Sequence, residues 1–222
     1  MEKKANWVME EPKLQALHAG GNLQQAAQAA IHSGEDIFEK EFTGQTLAEI
    51  YGGTLEFSGC RFDHCRFEEL EMRRLDFVDC VFDRCEMSNL TLTGFGMRRV
   101  RFIKCRMTGD TFSKCALTDV AFDGCMMDYF GLGDSKLDRV IIHECRMKES
   151  MFNSLKLSRI RLENCDLTES QWSYTPMNGL DLTTCQLDGI RVDFPLLKGA
   201  VVTPSQALIL AGLLGVKIEE GF

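Results

Sequence analysis

The chain has 222 residues, of which 45% are hydrophobic, so it can build one or two domains around a substantial core. Its formal net charge of −8 disfavours direct binding to nucleic acid and permits a basic partner. The longest apolar stretch, residues 207–214, is too short to cross a bilayer, and residues 1–13 lack the apolar segment of a signal peptide. We therefore expect a cytoplasmic protein without a membrane partner, in a compartment where disulfides are rare.

The first predicted element is a short amphipathic helix. Asn22 and Gln25 form an N-capping signature, and Gly34 provides a stop signal. The apolar residues between them share one helix face: Leu23, Ala26, Ala27, Ala30 and Ile31. This pattern predicts a helix that docks on the structure following it, so residues 1–35 are assigned to an N-terminal helical cap.

A five-residue repeat occupies most of the chain. Every fifth residue from Phe57 to Val202 is Phe, Leu, Met, Ile, Val or Trp, and all ten cysteines lie two residues before such a position. On an α-helix a five-residue step would spiral round the surface, and in a flat strand it would alternate between faces. A chain that turns a corner every five residues keeps both apolar positions inward. The repeat therefore predicts a coil rather than a helix or a flat sheet.

The spacing of like residues indicates the length of that coil. Cysteines occupy positions 65, 85, 105, 125, 145, 165 and 185, and phenylalanines recur at the same interval from Phe62 to Phe122. Four repeats with four corners fit this interval, and identical residues stack well on parallel strands about 4.8 Å apart. The thirty repeats from Phe57 to Val202 make about seven and a half coils, roughly 35 Å long, and residues 36–202 together are predicted to form an all-β, four-sided β-helix. The phase breaks at Gly52, which predicts an irregular first coil; the periodicity does not fix the handedness.

The last predicted element, in residues 203–222, is a C-terminal capping helix. Thr203 and Gln206 form a capping box with Pro204 at the first helical position, and Gly215 is the stop signal. Residues 207–214 contain nothing polar, so one face can cover the last coil while the other stays exposed. A homodimer is predicted through Ile209, Leu210, Leu213, Leu214 and Val216. The alternative is that residues 216–218 fold back over the helix.

No pattern of catalytic or metal-binding residues appears in the sequence. Cysteines at successive repeats lie on adjacent inner faces without a C-x-x-C spacing, which favours core packing over zinc. The four histidines, His18, His32, His64 and His143, fall in different modules. The prediction is a protein that is not an enzyme and holds no metal or cofactor. Asp110 is the one charged residue at an inner position of the repeat, and the pattern gives no reason for it.

Acidic residues concentrate on the third of the four predicted faces of the rod, and Glu71 lies just round the corner from it. The candidate partner-binding surface consists of Glu68, Glu69, Glu71, Asp128, Glu149 and Glu169. A stripe of this kind, on a rod about as wide as duplex DNA, suits the basic groove of a DNA-binding protein. The alternative is that any regular surface acquires stripes of charge, and residues 51–200 carry 20 Lys and Arg against 23 Asp and Glu, or only −3.

The repeat resembles the A-(D/N)-L-x-x pentapeptide family, whose members form right-handed quadrilateral β-helices. Three C-terminal stretches are similar to Qnr-type quinolone-resistance proteins, especially those of Gram-positive bacteria: LENCDLTESQW at 162–172, GLDL at 179–182, and VTPSQA at 202–207 followed by LGV at 214–216. The resemblance implies dimerisation through a C-terminal helix and protection of DNA gyrase and topoisomerase IV from quinolones by imitation of DNA. Two departures are the uninterrupted repeat and the modest charge. The other functional hypothesis is an interaction scaffold for an unidentified partner.

Overall fold

The computed structural model describes residues 7–72 and 74–216, which form a β-solenoid of about nine turns made of short parallel strands. In chain order the elements are β1 (His18–Ala19), α1 (Leu23–Ser33), β2 (Ile37–Phe38), β3 (Lys40–Thr43), β4 (Thr46–Tyr51), β5 (Thr54–Ser58), β6 (Arg61–Asp63), β7 (Arg66–Glu71), β8 (Arg74–Asp83), β9 (Thr91–Thr93), β10 (Gly96–Ile103), β11 (Thr111–Ser113), β12 (Ala116–Asp123), β13 (Gly131–Gly133), β14 (Lys136–His143), β15 (Met151–Asn153), β16 (Lys156–Glu163), β17 (Gln171–Ser173), β18 (Arg191–Val192), a 3₁₀ helix (Phe194–Leu197) and α2 (Pro204–Gly212).

Successive coils are in register, and the predicted coil length is confirmed. Phe62 pairs with Phe82 and Phe82 pairs with Phe102, so strand partners are separated by the same interval as the cysteine ladder. A 10-stranded sheet covers two adjacent faces of the solenoid, the first (centred on Phe77 and Met97) and the second (centred on Phe82 and Phe102), because strands such as β10 and β12 run round the corner between them. A six-stranded sheet forms the fourth face, and single bridges such as Arg66↔Glu86 hold the third face, which lies between the second and the fourth. Each coil therefore has four sides.

Left-handed backbone at the corners keeps the same side of the chain facing inward. One corner column contains His64 at φ 52°, Arg84 at φ 51° and Gly124 at φ 62°, and the other corners repeat this conformation. A positive φ turns the chain sharply within one residue. The next apolar side chain therefore points inward again, although it follows the previous one after an odd number of residues. The five-residue apolar period follows directly from this geometry.

Stacked aromatic rings fill the axis of the solenoid. The ring centroids of Phe82 and Phe102 are 4.7 Å apart, and those of Phe102 and Phe122 are 4.9 Å apart, with nearly parallel planes. These side chains are buried in one continuous core that extends from Leu23 in α1 to Leu210 in α2. The predicted convergence of the central residues on one axis is confirmed.

The second inward position of each repeat carries small side chains that bind backbone groups. Ser135 Oγ accepts the Cys115 N–H at 3.1 Å, and Thr175 Oγ1 accepts the Leu155 N–H at 3.1 Å, in each case from one coil away. A cysteine at this position donates its thiol to a carbonyl of the preceding coil, as Cys85 Sγ does to Phe62 O at 3.4 Å. Cys, Ser and Thr recur here because a compact side chain meets backbone groups that the ladder leaves unpaired.

Asp110 occupies this same small-residue position. Its Oδ1 accepts the Leu90 N–H at 2.8 Å, as Ser150 Oγ accepts the Phe130 N–H two coils further on. Asp110 Oδ2 is buried and has no hydrogen-bond partner within the described part of the chain. Burial raises the pKa of Asp110 to about 8, so the carboxyl group is mostly protonated at neutral pH. Asp110 therefore acts as a bulky substitute for serine.

The first coil is more regular than the break at Gly52 predicted. Ile37 pairs with Phe57 and Phe42 pairs with Phe62, in the same register as the later coils. This coil and the strand β1 bring the solenoid to about nine turns rather than seven and a half. The irregularity is confined to the fourth side, where a groove of about 300 Å³ is lined by Gly52, Glu71, Met72, Leu75, Thr91, Leu92, Thr93 and Phe95.

Both predicted helical caps are present. Asn22 Oδ1 accepts the Gln25 N–H at 2.9 Å, and α1 buries Leu23, Ala27 and Ala30 against the first coil. At the other end the capping box is formed, and Gln206 Nε2 also donates to the Leu182 carbonyl at 2.7 Å. Helix α2 stops at Gly212, before the predicted end at Leu214. Neither helix is long and apolar enough to span a membrane.

Candidate protein interaction surfaces

The corner residues of the third face stack in one exposed line along the rod. We call this line the acidic corner column, and it consists of Glu49, Glu69, Asn89, Gly109, Tyr129, Glu149, Glu169 and Gly189. Each member has a positive φ, which directs its side chain away from the core. Because successive members lie one coil apart, about 4.8 Å, Glu69 and Glu149 are separated by about 19 Å.

The six predicted acidic residues fall into two groups. Glu69, Glu149 and Glu169 lie in the acidic corner column, and none of them forms an ion pair within 4.0 Å among the described residues. Asp128 is half-buried and is neutralised by an arginine, with Arg146 Nη2 at 2.6 Å from its Oδ2. Of these four predicted residues, those at the corner therefore carry uncompensated negative charge, and Asp128 on the flat part of the face does not.

The two other predicted acids contribute little to the acidic corner column. Glu68 Oε1 lies 3.1 Å from Arg66 Nη1, so that charge is compensated. Glu71 is exposed beyond the corner, where it lines the groove beside Gly52. The structure thus does not bring all six carboxylates together.

Exposed tyrosines accompany the acidic residues, and sequence reasoning missed them. Tyr129 lies within the column, where a hydrogen bond from its hydroxyl to Glu149 raises the pKa of the tyrosine. At the other end Tyr51 Oη donates to Glu69 Oε2 at 3.2 Å. Tyrosine is enriched in protein interfaces because it buries a large area with few rotatable bonds. The position of Tyr129 could have been predicted from the sequence, since Tyr129 has the same repeat phase as Glu149 and Glu169.

The density of charge on the column can be compared with that of DNA. Duplex DNA carries about one negative charge per 1.7 Å of its axis, whereas one carboxylate per coil supplies about one per 4.8 Å. Asn89 and Gly109 further divide the column into an N-terminal and a C-terminal acidic cluster. The column resembles a phosphate backbone only in its sign and straight path, and the tyrosines offer contacts that a phosphate chain does not.

The C-terminal helix exposes an apolar patch that differs from the predicted dimer interface by one residue. Leu213 is 39% exposed, and Leu214 and Val216 are each 53% exposed, whereas Ile209 is half-buried. Leu210 is buried in the core, because it follows Gln206 by one helical turn and both face the last coil. Leu208, at 56% exposure, lies on the outer side instead. The alternative covering segment extends into residues 217 and 218, which lie outside the described residues.

An N-terminal strap, defined as residues 7–14, runs along the first face of the rod instead of joining the cap. Backbone N–H groups of Glu10 and Lys13 donate to Asp119 Oδ1 at 3.0 Å and Asp79 Oδ1 at 2.9 Å. Further along, the Trp7 carbonyl accepts a hydrogen bond from the guanidinium group of Arg161, through its Nη2, at 3.1 Å. The strap thus crosses five successive levels of the first face. Sequence reasoning did not find it.

The groups that could bind metal are dispersed or buried. All ten cysteines are free and buried, and burial raises the pKa of the Cys80 and Cys115 thiols. His143 Nδ1 lies 2.9 Å from Asp123 Oδ1, a surface pair between neighbouring coils. No group of three or more His, Cys, Asp or Glu side chains in residues 7–72 and 74–216 could hold a metal ion.

Comparison with known proteins gives a match to one family model over part of the chain. Residues 95–172 match the family model described as Pentapeptide repeat region. The sequence matches none of the curated proteins. The chain is similar to the pentapeptide repeat protein Rfr23 from the cyanobacterium Cyanothece 51142, with 15% identity over 56% of this chain and 90% of that chain and a TM-score of 0.39.

Two further solved structures are similar over more of the chain. A trypsin-treated variant of QnrB1, a plasmid-mediated fluoroquinolone resistance protein, is 18% identical over 84% of this chain and 91% of that chain, with a TM-score of 0.36. HetL, a pentapeptide repeat protein involved in heterocyst differentiation regulation from the cyanobacterium Nostoc sp. strain PCC 7120, is 14% identical over 86% of this chain and 89% of that chain, with a TM-score of 0.39.

Proposed function

We propose that this pentapeptide-repeat protein binds a type II topoisomerase, DNA gyrase or topoisomerase IV, in the cytoplasm and lessens its inhibition by quinolones. The observation that supports this proposal most is the acidic corner column, with Glu69, Glu149 and Glu169 exposed and uncompensated in one straight line. The C-terminal sequence similarity to Qnr-type proteins points to the same partner. The protein acts by contact and performs no chemistry.

The rod offers this partner a rigid, straight and negatively charged edge. Residues on the edge are held at fixed intervals by parallel backbone pairing on both sides, so little backbone ordering is needed on binding. A basic groove that accepts DNA attracts such an edge from a distance, and the attraction weakens as salt is added. The exposed ring of Tyr129 lies within the same line and adds a desolvated contact.

An interaction scaffold for a different protein is the second candidate. It is favoured by the compensated acids, since Asp128 and Glu68 pair with arginines and leave the rest of the third face nearly neutral. Pentapeptide-repeat proteins generally serve as structural or interaction proteins, and the flat faces of this rod suit that role. Capture of one specific partner other than a topoisomerase would favour this candidate.

A gyrase supercoiling assay with a fluoroquinolone tests the proposal. Purified protein should restore supercoiling, and the triple variant Glu69→Gln, Glu149→Gln, Glu169→Gln should need about tenfold more protein, a loss of about 1.4 kcal/mol of binding free energy. The matched control removes three exposed carboxylates from other faces: Asp134→Asn, Glu144→Gln and Glu163→Gln. It changes the net charge equally and should restore supercoiling as the unmodified protein does. Absence of both rescue and gyrase binding would remove the proposal.

The proposed homodimer forms through the exposed side of α2. Replacing Leu213 with aspartate places a charge in an apolar interface, which costs several kcal/mol and should give a monomer in light scattering. The control is Phe38→Asp, since Phe38 is 55% exposed at the opposite end of the rod. That variant should remain a dimer. An unchanged mass for Leu213→Asp would show that this patch is not the interface.

A further inference from the structure

The N-terminal strap is seated on the first face as a bound peptide would be. Its contacts follow a fixed step: Lys13 N–H binds Asp79, and three residues earlier Glu10 N–H binds Asp119, which lies two coils further along. Two coils rise about 9.6 Å, and three residues of extended chain span about 10 Å. The same step leads from Glu10 to Trp7, whose carbonyl binds Arg161. The distance between contact residues of the extended strap therefore matches the spacing of the coils over at least four coils.

A ladder of ion pairs holds the carboxylates that bind the strap. Arg99 Nε lies 2.5 Å from Asp79 Oδ1, and Arg139 Nε lies 2.5 Å from Asp119 Oδ1. Asp119 is only 2% exposed, and its guanidinium partner lowers the pKa of the carboxyl group. These carboxylates are thus fixed and ionised, and in each the Oδ1 that binds the guanidinium group also accepts a backbone N–H from the extended strap.

The strap also contacts two guanidinium groups of this face and neutralises one of them. Arg101 Nη1 lies 3.0 Å from Glu11 Oε2, closer than the 3.9 Å between Arg101 Nη2 and Asp123 Oδ2. The guanidinium carbon of Arg161 lies 4.5 Å from the centroid of the Trp7 ring, a cation–π contact. Charge complementarity therefore selects an acidic and aromatic segment for this position.

Apolar side chains on the outside of the solenoid are covered along the same path. Val81 and Ala121 belong to an outward-facing column, together with Arg101 and Arg161, yet they are only 6% and 4% exposed. Met9 of the strap is 7% exposed although it lies outside the core of the solenoid. The face therefore combines an apolar floor, fixed backbone acceptors and two cationic positions.

The strap does not provide a hydrogen-bond partner for every polar group of this face. Arg101 Nε is buried and has no hydrogen-bond partner among the described residues, and Val8 is 83% exposed. A ligand that places an additional oxygen beside Arg101 Nε would recover the free energy of that unpaired donor. The chain's own segment is thus a replaceable occupant.

We propose that the first face, from Asp79 to Arg161, is a binding track for an extended acidic peptide of a partner protein, and that the N-terminal strap occupies it in cis. The ligand has an aromatic residue, an apolar residue two positions later, and then two carboxylates, as in Trp7 to Glu11. The track lies on a different face from the acidic corner column. The two surfaces therefore bind ligands independently.

Fluorescence anisotropy with a labelled peptide of sequence WVMEEPKL, residues 7–14, tests the track on the full chain. The strap is released by the triple substitution Trp7→Ala, Met9→Asp, Glu11→Lys, which removes its ring, its apolar anchor and its carboxylate. Because the tethered strap competes at an effective concentration near millimolar, the peptide should bind the released variant about tenfold more tightly than the unmodified chain. A peptide of scrambled sequence should bind neither protein.

Substitutions in the track give the matched comparison. Adding Arg101→Glu and Arg161→Glu to the released variant should abolish peptide binding, whereas adding Arg84→Glu and Arg106→Glu on other faces should leave it unchanged. With the unmodified chain, excess unlabelled peptide should also speed hydrogen exchange in residues 7–14 several-fold, a result that does not depend on the folding of any variant.

Three outcomes would overturn the proposal. One is no peptide binding by a released variant that keeps its circular dichroism spectrum, combined with unchanged hydrogen exchange in the unmodified chain. Another is peptide binding that survives Arg101→Glu and Arg161→Glu. The third is that the Leu213→Asp protein forms a dimer and that the free peptide dissociates this dimer. In such a dimer each strap would lie on the track of the other copy, so the occupant would be a second copy of the chain instead of a partner protein.

Discussion

Replacing Asp110 with serine is expected to stabilise the protein at neutral pH by up to about 4 kcal/mol. Burial raises the pKa of Asp110 from 3.8 in the unfolded chain to about 8 in the folded protein. Below pH 4 both states are protonated and the carboxyl group carries no electrostatic penalty. Between pH 4 and pH 8 the unfolded chain releases the proton while the folded protein retains it, so stability falls by about 1.4 kcal/mol per pH unit. The serine variant lacks this dependence.

Serine suits the position because the same column already uses it. Ser150 Oγ accepts the Phe130 N–H and donates to the Met127 carbonyl at 2.9 Å, and a serine at 110 has the equivalent groups of Leu90 and Met87 available. Urea unfolding at pH 5, 7 and 8.5 measures the effect. Asp134→Ser, an exposed corner substitution, is the control and should change little. Parallel pH profiles for the Asp110→Ser and unmodified proteins would refute the account of this residue.

Phe102→Ala should lower the free energy of unfolding by about 4 kcal/mol, within the usual range of about 3–5 kcal/mol for a buried phenylalanine. Phe102 is fully buried, and its ring lies between those of Phe82 and Phe122 at 4.7 and 4.9 Å. In a solenoid each coil contacts only its neighbours, so a cavity at this level weakens two coil interfaces at once. The urea transition should therefore also become broader.

The exposed Phe38 provides the comparison for this substitution. Phe38 is 55% exposed on the first coil, so Phe38→Ala removes the same side chain with little loss of burial and should cost less than about 1 kcal/mol. Equal effects of the two substitutions in urea unfolding would mean that Phe102 does not lie on the axis of a continuous core.

The architecture could be predicted from the sequence because one local rule is repeated at every coil. The apolar position at every fifth residue and the ladder from Cys65 to Cys185 together specify a four-sided coil made of four repeats. The starts of both helices were equally local, since Asn22 and Thr203 cap helices through side chains within the first helical turn. Such signals require no knowledge of distant contacts.

Features that depend on distant or non-periodic contacts could not be predicted. The N-terminal strap binds Asp79 and Asp119, which are far away along the chain, and its sequence has no period that would reveal an extended segment on the rod. The role of Asp110 could not be predicted because it depends on the inward-pointing backbone N–H of Leu90, one coil below. Leu210 was assigned to the dimer interface because a helix that is apolar all round does not show which side faces the last coil.

The pairing of charges was within reach of the sequence. The residue directly above Asp128 is Lys148, and Arg146 precedes Lys148 by two positions. The repeat therefore places the side chains of Arg146 and Asp128 on neighbouring coils. Their ion pair follows from that position. Plotting all charges on the coil would have separated Asp128 from Glu149 and Glu169, which lack such a partner among the described residues.

A disulfide between neighbouring coils tests the winding of four repeats per coil, on which every surface described here depends, most directly. Thr93 Oγ1 and Ser113 Oγ are exposed and 2.9 Å apart on adjacent strands, so Thr93→Cys with Ser113→Cys should cross-link under mild oxidation and yield one joined peptide pair in mass spectrometry. Thr93→Cys with Thr118→Cys, which is one repeat further along the chain and on the adjoining face, should not. Failure of the first pair to cross-link, or equal cross-linking of both pairs, would contradict the solenoid.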